Sequence, residues 1–217
     1  MQNFVSRFLA LDTPTVSDAL DKLGLPGAVF GISPMTIEKA IAGQVVTVKL
    51  GAPMPDLPKR HLGAGAIMAA GEGDIVVVEH RGRKDVSGWG GLLSRGARKK
   101  GIQGVLIDGA FRDLDEARLL GLPIYGRAAV PVTARGRVAE HGFNVPITFA
   151  GIAVRPGDYV LADGSGIVFI GRENLEQVLG EAEWIFRREQ LMADAIDRGI
   201  PIGDVLGADY EDMLKGE

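Results

Sequence analysis

Two short stretches carry the groups best suited to chemistry. One is Gly88-Trp89-Gly90-Gly91-Leu92-Leu93; the other is Arg112-Asp113, with Glu116 close behind. The first reads as a glycine-rich helix entrance. The open N–H groups of a helix's first turn attract a carboxylate or phosphate, and glycine lets a ligand approach the backbone closely. Arg112 offers a forked contact to a carboxylate or enolate oxygen. Asp113 is a hard oxygen donor for Mg²⁺ or Mn²⁺, ions that keep several waters and take one or two protein carboxylates, and Glu116 is the second candidate metal ligand. Together these groups suit a small metal-chelating keto acid. The same residues also fit a purely structural pattern, in which Asp113 and Glu116 form a helix N-cap with its acidic N3 partner and the glycines form a tight loop.

For the first reading to hold, the fold must bring the two stretches together. Asp74-Ile75-Val76-Val77-Val78-Glu79 is a β-branched run typical of a strand covered on both faces. Gly90 to Lys100 reads as a helix with Leu92, Leu93 and Ala97 inward and Gly101 past its end, and Gly104 to Asp108 as the next strand. Strand, helix, strand in this order is a right-handed βαβ unit with parallel strands, and ligands of such sheets bind beyond the carboxyl ends of the strands. A helix of ~11 residues and a return strand of about five have similar lengths. The first helical turn is therefore expected to face Arg112 and Asp113.

The remaining chain reads as support. Thr13 as N-cap, Pro14 and Gly24 bound a helix with Val16, Ala19, Leu20 and Leu23 in one stripe. Gln44 to Leu50 reads as a strand, Pro53, Pro55 and Pro58 as a stiff loop, His61 to Ala70 as a short helix, and Arg112 to Leu120 as another. Ile124 to Val130, Val145 to Val154, Asp158 to Leu161 and Gly166 to Ile170 are short apolar segments between turns. From Arg172 to Arg198 the apolar spacing predicts a long amphipathic helix, and the last stretch to Glu217 is expected to pack on a neighbouring subunit.

The 217 residues show no linker or composition break, so a single domain is expected. A formal charge of -4 disfavours nucleic acid and acidic membrane surfaces as partners, and the absence of cysteine excludes thiolate metal sites and cysteine nucleophiles. The sequence starts without a signal-like apolar core and has no apolar run near the ~20 residues that cross a bilayer, so a cytoplasmic protein is expected. His61, His80 and His141 are too scattered for a metal cluster. Lys49 lacks the setting of a Schiff-base lysine. Asp163-Gly164-Ser165-Gly166 reads as a turn, and Arg95, Arg98, Lys99 and Lys100 suit the negative end of their helix while marking a place where a protein or RNA partner would touch.

The pattern Gly91, 20 intervening residues, Arg112-Asp113, two residues, Glu116 resembles the family that joins RraA-type regulators with the class II pyruvate aldolases acting on 4-hydroxy-4-methyl-2-oxoglutarate and related acids. Ser17-Asp18-Ala19-Leu20, Gly73 to Val78, and Gly157-Asp158 with Ala162-Asp163 extend the resemblance over about Thr13 to Gly199. It implies an α/β fold, a three-layer β/β/α sandwich similar to the swivelling phosphohistidine domains, assembled as a homotrimer or hexamer. It also implies a Mg²⁺- or Mn²⁺-dependent lyase that releases pyruvate from a 4-hydroxy-2-oxo acid and decarboxylates oxaloacetate. Asp113 would serve the metal, Arg112 the enolate and C4 hydroxyl, and the amides of Leu92 and Leu93, beside Gly90 and Gly91, the pyruvyl carboxylate. A glutamate from the adjacent subunit's carboxy-terminal helix maps to Glu189, with Glu183 as the alternative. The residue matching Gly91 is acidic in many aldolase members, so glycine here departs from the pattern and leaves no evident proton carrier. The other branch implies a non-catalytic regulator that binds a ribonuclease or RNA helicase; regulator-type members often lack the aspartate at the position of Asp113.

Overall fold

A computed structural model describes residues 2–57 and 60–207. Pro58 and the tail beyond residue 207, for which subunit packing was expected, lie outside the described residues. In chain order the elements are α1 (Gln2–Phe8), α2 (Thr13–Lys22), β1 (Ala28–Val29), β2 (Ser33–Pro34), β3 (Ile41–Gly51), α3 (Ala64–Ala69), β4 (Ile75–Ser87), α4 (Gly91–Lys100), β5 (Gly104–Phe111) and α5 (Leu114–Leu119). There follow β6 (Ile124–Gly126), β7 (Ala128–Ala129), β8 (Ala139–Phe143), β9 (Ile147–Phe149), β10 (Ile152–Val154), β11 (Tyr159–Ala162), β12 (Ile167–Ile170), α6 (Leu175–Asp197, entered through a 3-10 turn at Arg172–Asn174) and α7 (Ile202–Val205).

The predicted βαβ unit is the centre of the sheet. β3, β4, β5 and β6 run parallel, with Val45 opposite Ile75, Ile75 opposite Gly104, and Val105 opposite Ile124. Strand alternation divides their β-branched runs between two cores. Val76, Val78, Val105 and Ile107 pack under α3, α4 and α5. Ile75, Val77 and Leu106 face Phe149, Val154, Val160 and Phe169 of the second sheet layer. The long β3 links the layers, because Ile41 to Gln44 pair with β11 while Val45 to Lys49 pair with β4. This is the expected β/β/α arrangement, built from one curled ten-stranded sheet with the separate two-stranded β9–β10 sheet against its second layer. A further core, with Phe8, Leu20, Leu161, Val168, Leu179 and Ile185, seats α1, α2 and the first half of α6 on the outer face of β11 and β12.

Several local expectations change. Asp12, not Thr13, caps α2: its carboxylate accepts from the Thr15 amide at 2.9 Å, while Thr13 lies inside the helix and bonds Asp163 through both its amide and its hydroxyl. β4 runs beyond the expected strand end at Glu79 to Ser87, with a register break where Arg81 and Gly82 take positive φ. The segment 145–154 contains a hairpin, β9 and β10, turning at Ala150-Gly151 with φ of 48° and 92°. Positive φ at both turn positions matches the twist of a hairpin, but Ala-Gly lacks the usual Asn or Asp signal. The Ile124–Val130 segment breaks into β6 and β7.

Candidate functional site

The turn from β4 into α4 is tied to the end of β5 and to the chain just beyond β7. Ser87 donates to the Val132 carbonyl through its amide and hydroxyl, Gly88 N–H donates to the Ala110 carbonyl at 2.8 Å, and Arg112 N–H donates to the Trp89 carbonyl at 3.1 Å. The buried Trp89 anchors the turn, its indole N–H donating to Ser94 Oγ at 3.0 Å. Its ring packs so closely on Gly63 that a Cβ there would sit 3.0 Å away. The result is that Gly91 N–H donates to Asp113 Oδ2 at 2.7 Å, so the two sequence stretches meet. The α4 ladder begins with Ser94 N–H to the Gly90 carbonyl, which puts the amides of Leu92 and Leu93 ahead of it in the open first turn.

Asp113 does not cap its own helix with its side chain. It has left-handed backbone angles, φ 62° and ψ 41°, at the start of α5, and its carboxylate crosses to α4. Aspartate tolerates this conformation better than most residues. Arg112 Nε lies 3.4 Å from Asp113 Oδ2, and both side chains are about 40% exposed. Gly90 makes room for them, because a Cβ at that position would sit 3.1 Å from Asp113 Oδ2 and 3.2 Å from Arg112 Nε. The Gly91 amide and Arg112 both meet Oδ2, and the side chain is 39% exposed and so open to a ligand.

Glu116 likewise departs from the capping-box alternative. Its Oε1 pairs with Arg95 Nε at 2.6 Å, and its Oε2 lies in the volume that a side chain at residue 91 would occupy. Arg95 is thus engaged across two helices rather than at the negative end of its own. Sequence spacing along one helix cannot reveal such a pair. Among the described residues no group of three or more His, Cys, Asp or Glu side chains is placed to hold a metal. The residues that would hold an ion such as Mg²⁺, which retains waters and takes one or two protein oxygens, are Asp113 and Glu116, both partly exposed beside Gly91.

Within one chain, Glu189 and Glu183 are not brought to this place. Glu183 is paired with Arg7 at 2.6 Å, and that guanidinium holds its carboxyl below the usual range. Glu189 stands against α2, hydrogen-bonded by Thr15. Burial, with Asp18 and Asp12 nearby, pushes its carboxyl up. His80 is buried with Nε2 2.8 Å from the Val86 carbonyl oxygen, and burial lowers its pKa; His141 bonds the Ala52 carbonyl. Both read as structural.

The curled sheet and the Arg-Asp pair at a helix entrance define a class. The chain belongs to the RraA-like family, described as Aldolase/RraA, which matches residues 13–169. Among its relatives is a protein of Halalkalibacterium halodurans, provisionally named a 4-hydroxy-4-methyl-2-oxoglutarate aldolase. It is 29% identical over 200 residues, covering 91% of this chain and 89% of that one. Protein DlpA of Legionella pneumophila is 26% identical over 92% of this chain, which spans only 32% of DlpA's length. The match to an archaeal relative from Methanocaldococcus jannaschii spans 63% of that protein. A crystal structure of a Pseudomonas syringae protein superposes with a TM-score of 0.85 at 28% identity, covering 95% of this chain and 98% of that one. Streptomyces coelicolor RraAS2, described as an unusual member of the RNase ES inhibitor RraA family, gives 0.81 at 23% identity over 92% of this chain and 98% of that one, a likeness of fold. Among the described residues no helix is long and apolar enough to cross a membrane.

Proposed function

We propose that the protein is a divalent-metal-dependent carbon–carbon lyase that cleaves a 4-hydroxy-2-oxo acid, such as 4-hydroxy-4-methyl-2-oxoglutarate, to release pyruvate, and that it also decarboxylates oxaloacetate. The observation that carries this reading is the meeting of Asp113, Arg112 and the open first turn of α4 within one hydrogen-bonded frame. The names of several relatives add the substrate class. Asp113, with Glu116, would hold Mg²⁺ or Mn²⁺, which when bound supplies Lewis-acid polarisation of the 2-oxo group.

The chain's own groups do the rest. The amides of Leu92 and Leu93 bind the C1 carboxylate, as a helix N-terminus does for anions. Arg112 faces the C2 oxygen and the C4 hydroxyl. Solvent water takes the C4 hydroxyl proton, C4 becomes a carbonyl, the C3–C4 bond breaks, and its electron pair enters the C2–C3 bond as the enolate of pyruvate. Arg112 stabilises the negative charge as it develops on the C2 oxygen, and a proton returned from water to C3 completes pyruvate. Oxaloacetate gives the same enolate when its C3–C4 bond breaks with loss of CO₂.

The alternative is a non-catalytic regulator of a ribonuclease or RNA helicase. Pyruvate release from 4-hydroxy-4-methyl-2-oxoglutarate and from oxaloacetate, measured with and without chelator on the parent and on Asp113→Ala, tests the choice. Release that depends on both metal and Asp113 supports the lyase. Release indifferent to both, or no release from either acid, refutes the reading.

A further inference from the structure

The strand that leads into the site does not run straight to it. Val78 lies opposite Ile107 and Ser87 opposite Ala110, so β4 spends nine residues where β5 spends three. The extra residues bulge from the ladder, turning at Arg81 and Gly82, and the chain must be gathered in again before Gly88 and Trp89 can meet β5. His80 gathers it. Its Nε2 lies 2.8 Å from the Val86 carbonyl oxygen, and because a carbonyl only accepts, Nε2 carries the proton and the bond joins the two ends of the bulge. The ring also supports the turn that follows. A Cβ built on Gly88 would sit 3.0 Å from His80 Cγ, and one built on Gly109 would overlap His80 Cδ2. Two glycines thus give their side-chain volume to one imidazole, which is 2% exposed. Leu50 and Ile107, from the core under the helices, crowd the same point at 3.0 Å from the Gly88 position.

We propose that His80 is a positioning residue for the site: as a neutral imidazole it clamps the bulge of β4 and buttresses Gly88, and protonation releases the clamp, so that the entrance of α4 loses its order in acid. The proposal rests on the reading above in placing the reaction at that entrance. His80 itself touches neither substrate nor metal. It acts through Gly88, whose N–H bond to the Ala110 carbonyl is the first of the ties that end with Gly91 on Asp113.

The surroundings resist a charge on the ring. The charged groups that face it are Arg83 and Asp85 of the bulge and Asp108 of β5; β3 contributes the apolar Leu50. Asp85 is committed to Arg83 at 2.7 Å and Asp108 to Arg127 at 2.6 Å, so neither carboxylate is free to pair with an imidazolium. Burial holds the imidazole below its ordinary value of 6.5, and Arg83 adds to the effect. The proton is taken up when the ring reaches water, which requires the bulge to open. Because the closed form binds the proton less readily than the open one, closure is favoured above the ordinary value and weakens as pH falls below it. Substrate binds the closed form and pulls the equilibrium back, so acid should lower kcat/KM, which reports the free protein, more than kcat.

The test compares the full-length parent with His80→Gln, which keeps an N–H near the place of Nε2 but does not titrate, and with His80→Ala, which removes the clamp. Pyruvate release is measured between about pH 7.5 and about pH 5. Hydrogen exchange of the segment 86–93, corrected for the intrinsic effect of pH, is followed in parallel by mass spectrometry. For the parent, kcat/KM should fall on the acid side with a slope approaching about tenfold per pH unit, that of one proton. Its kcat should fall less, and exchange in 86–93 should quicken over the same range. His80→Gln should keep near-parent rates at neutral pH and lack this acid limb in both readouts. His80→Ala should exchange fast and lose roughly tenfold or more in kcat/KM even at neutral pH, the scale of a misplaced site. Gly88→Ala, which crowds the ring, should cost more in the parent than in the His80→Ala background, as coupled residues behave in a double-mutant cycle. An acid limb that is the same in the parent and in His80→Gln would overturn the proposal, as would parent-like kinetics and exchange in His80→Ala. Should His80→Ala fail to fold, the comparison of the parent with His80→Gln decides alone. If the parent releases no pyruvate from either acid, the lyase reading fails and exchange decides on the clamp: quickening in acid for the parent but not for His80→Gln supports it, and equal exchange refutes it.

Discussion

Replacing Asp113 separates what the residue does for the fold from what it does at the site. Its backbone holds φ 62° and ψ 41°, a region that costs an L-residue about 1 kcal/mol or more. Its carboxylate receives the Gly91 N–H bond at 2.7 Å. The side chain is 39% exposed, so water competes for both partners and the bond contributes about 1 kcal/mol net. Alanine loses the bond and is less tolerant of the left-handed region than aspartate, which together cost roughly 1.5 kcal/mol. Glycine loses the same bond but relieves the backbone. Set against its extra freedom in the unfolded chain, about 0.5–1 kcal/mol, this leaves it within about 1 kcal/mol of the parent. The expected order of stability is Asp, then Gly, then Ala, with melting temperatures spread over about 5 °C for a chain of this size. Urea and thermal unfolding measure that order. Pyruvate release coupled to lactate dehydrogenase should fall at least ~100-fold in both variants, the scale of losing an electrostatic contributor to the transition state. A folded Asp113→Gly protein that releases pyruvate at the parent rate would refute the assignment. A loss of about 4 kcal/mol in both variants would show instead that the carboxylate is structural.

Two other perturbations follow from groups away from the site. Burial and the neighbouring Asp18 and Asp12 raise Glu189 above its ordinary value of 4.5, so the folded state binds the proton more readily than the unfolded one. Stability from this group is then gained as pH falls through the raised folded value, and the gain is complete below the ordinary value. Glu189→Gln should accordingly raise the melting temperature at pH 7, with the advantage gone by about pH 4; an equal advantage at both pH values would contradict the assigned burial. Arg127 holds the buried Asp108 at 2.6 Å, and Asp108 also accepts the Ala150 amide at the β9–β10 turn. Arg127→Met strands that carboxylate and should cost about 3–5 kcal/mol in urea unfolding, with Arg127→Met, Asp108→Asn recovering part of the loss. A cost below about 1 kcal/mol would mean that water replaces the arginine.

The parts of the fold that could be read in advance are those in which one residue type has one physical job. Runs such as Ile75 to Val78 are β-branched because both of their faces are covered, and they pack on both sides as expected. Gly24, Gly101 and Gly121 end helices at φ of 65°, 79° and 61°, where side chains are disfavoured. What escaped prediction is set by partners distant in sequence. Thr13 has the right chemistry for a cap, but Asp163 engages it from 150 residues away. The left-handed angles of Asp113 follow from the ties of Trp89 and Gly88 to β5 rather than from the local sequence. Arg95 sits in a run of basic residues that masks its pairing with Glu116, because spacing rules reach only three or four residues along one helix.

Charge counting at the site leads to a last expectation. Asp113 and Glu116 contribute two negative charges, and Arg112 and Arg95 two positive ones, as two ion pairs at the entrance of α4. The positive end of α4 is already shared with Asp113 through the Gly91 amide. A 2-oxo acid brings one or two further negative charges to a place that is balanced without it, where Arg112, already beside Asp113, and the amides of Leu92 and Leu93 are left to meet them. An added dication removes that imbalance. Binding of metal and of anion should therefore favour each other by the same factor, as linkage requires. Oxalate, which copies the chelating edge of the pyruvate enolate, is the probe. Calorimetry should find its affinity raised at least ~10-fold by Mn²⁺ and, reciprocally, Mn²⁺ affinity raised equally by oxalate. Oxalate binding that is equally tight with and without the metal would mean that Arg112 and the helix amides suffice for the anion, and the reason for placing a dication beside Asp113 would be gone.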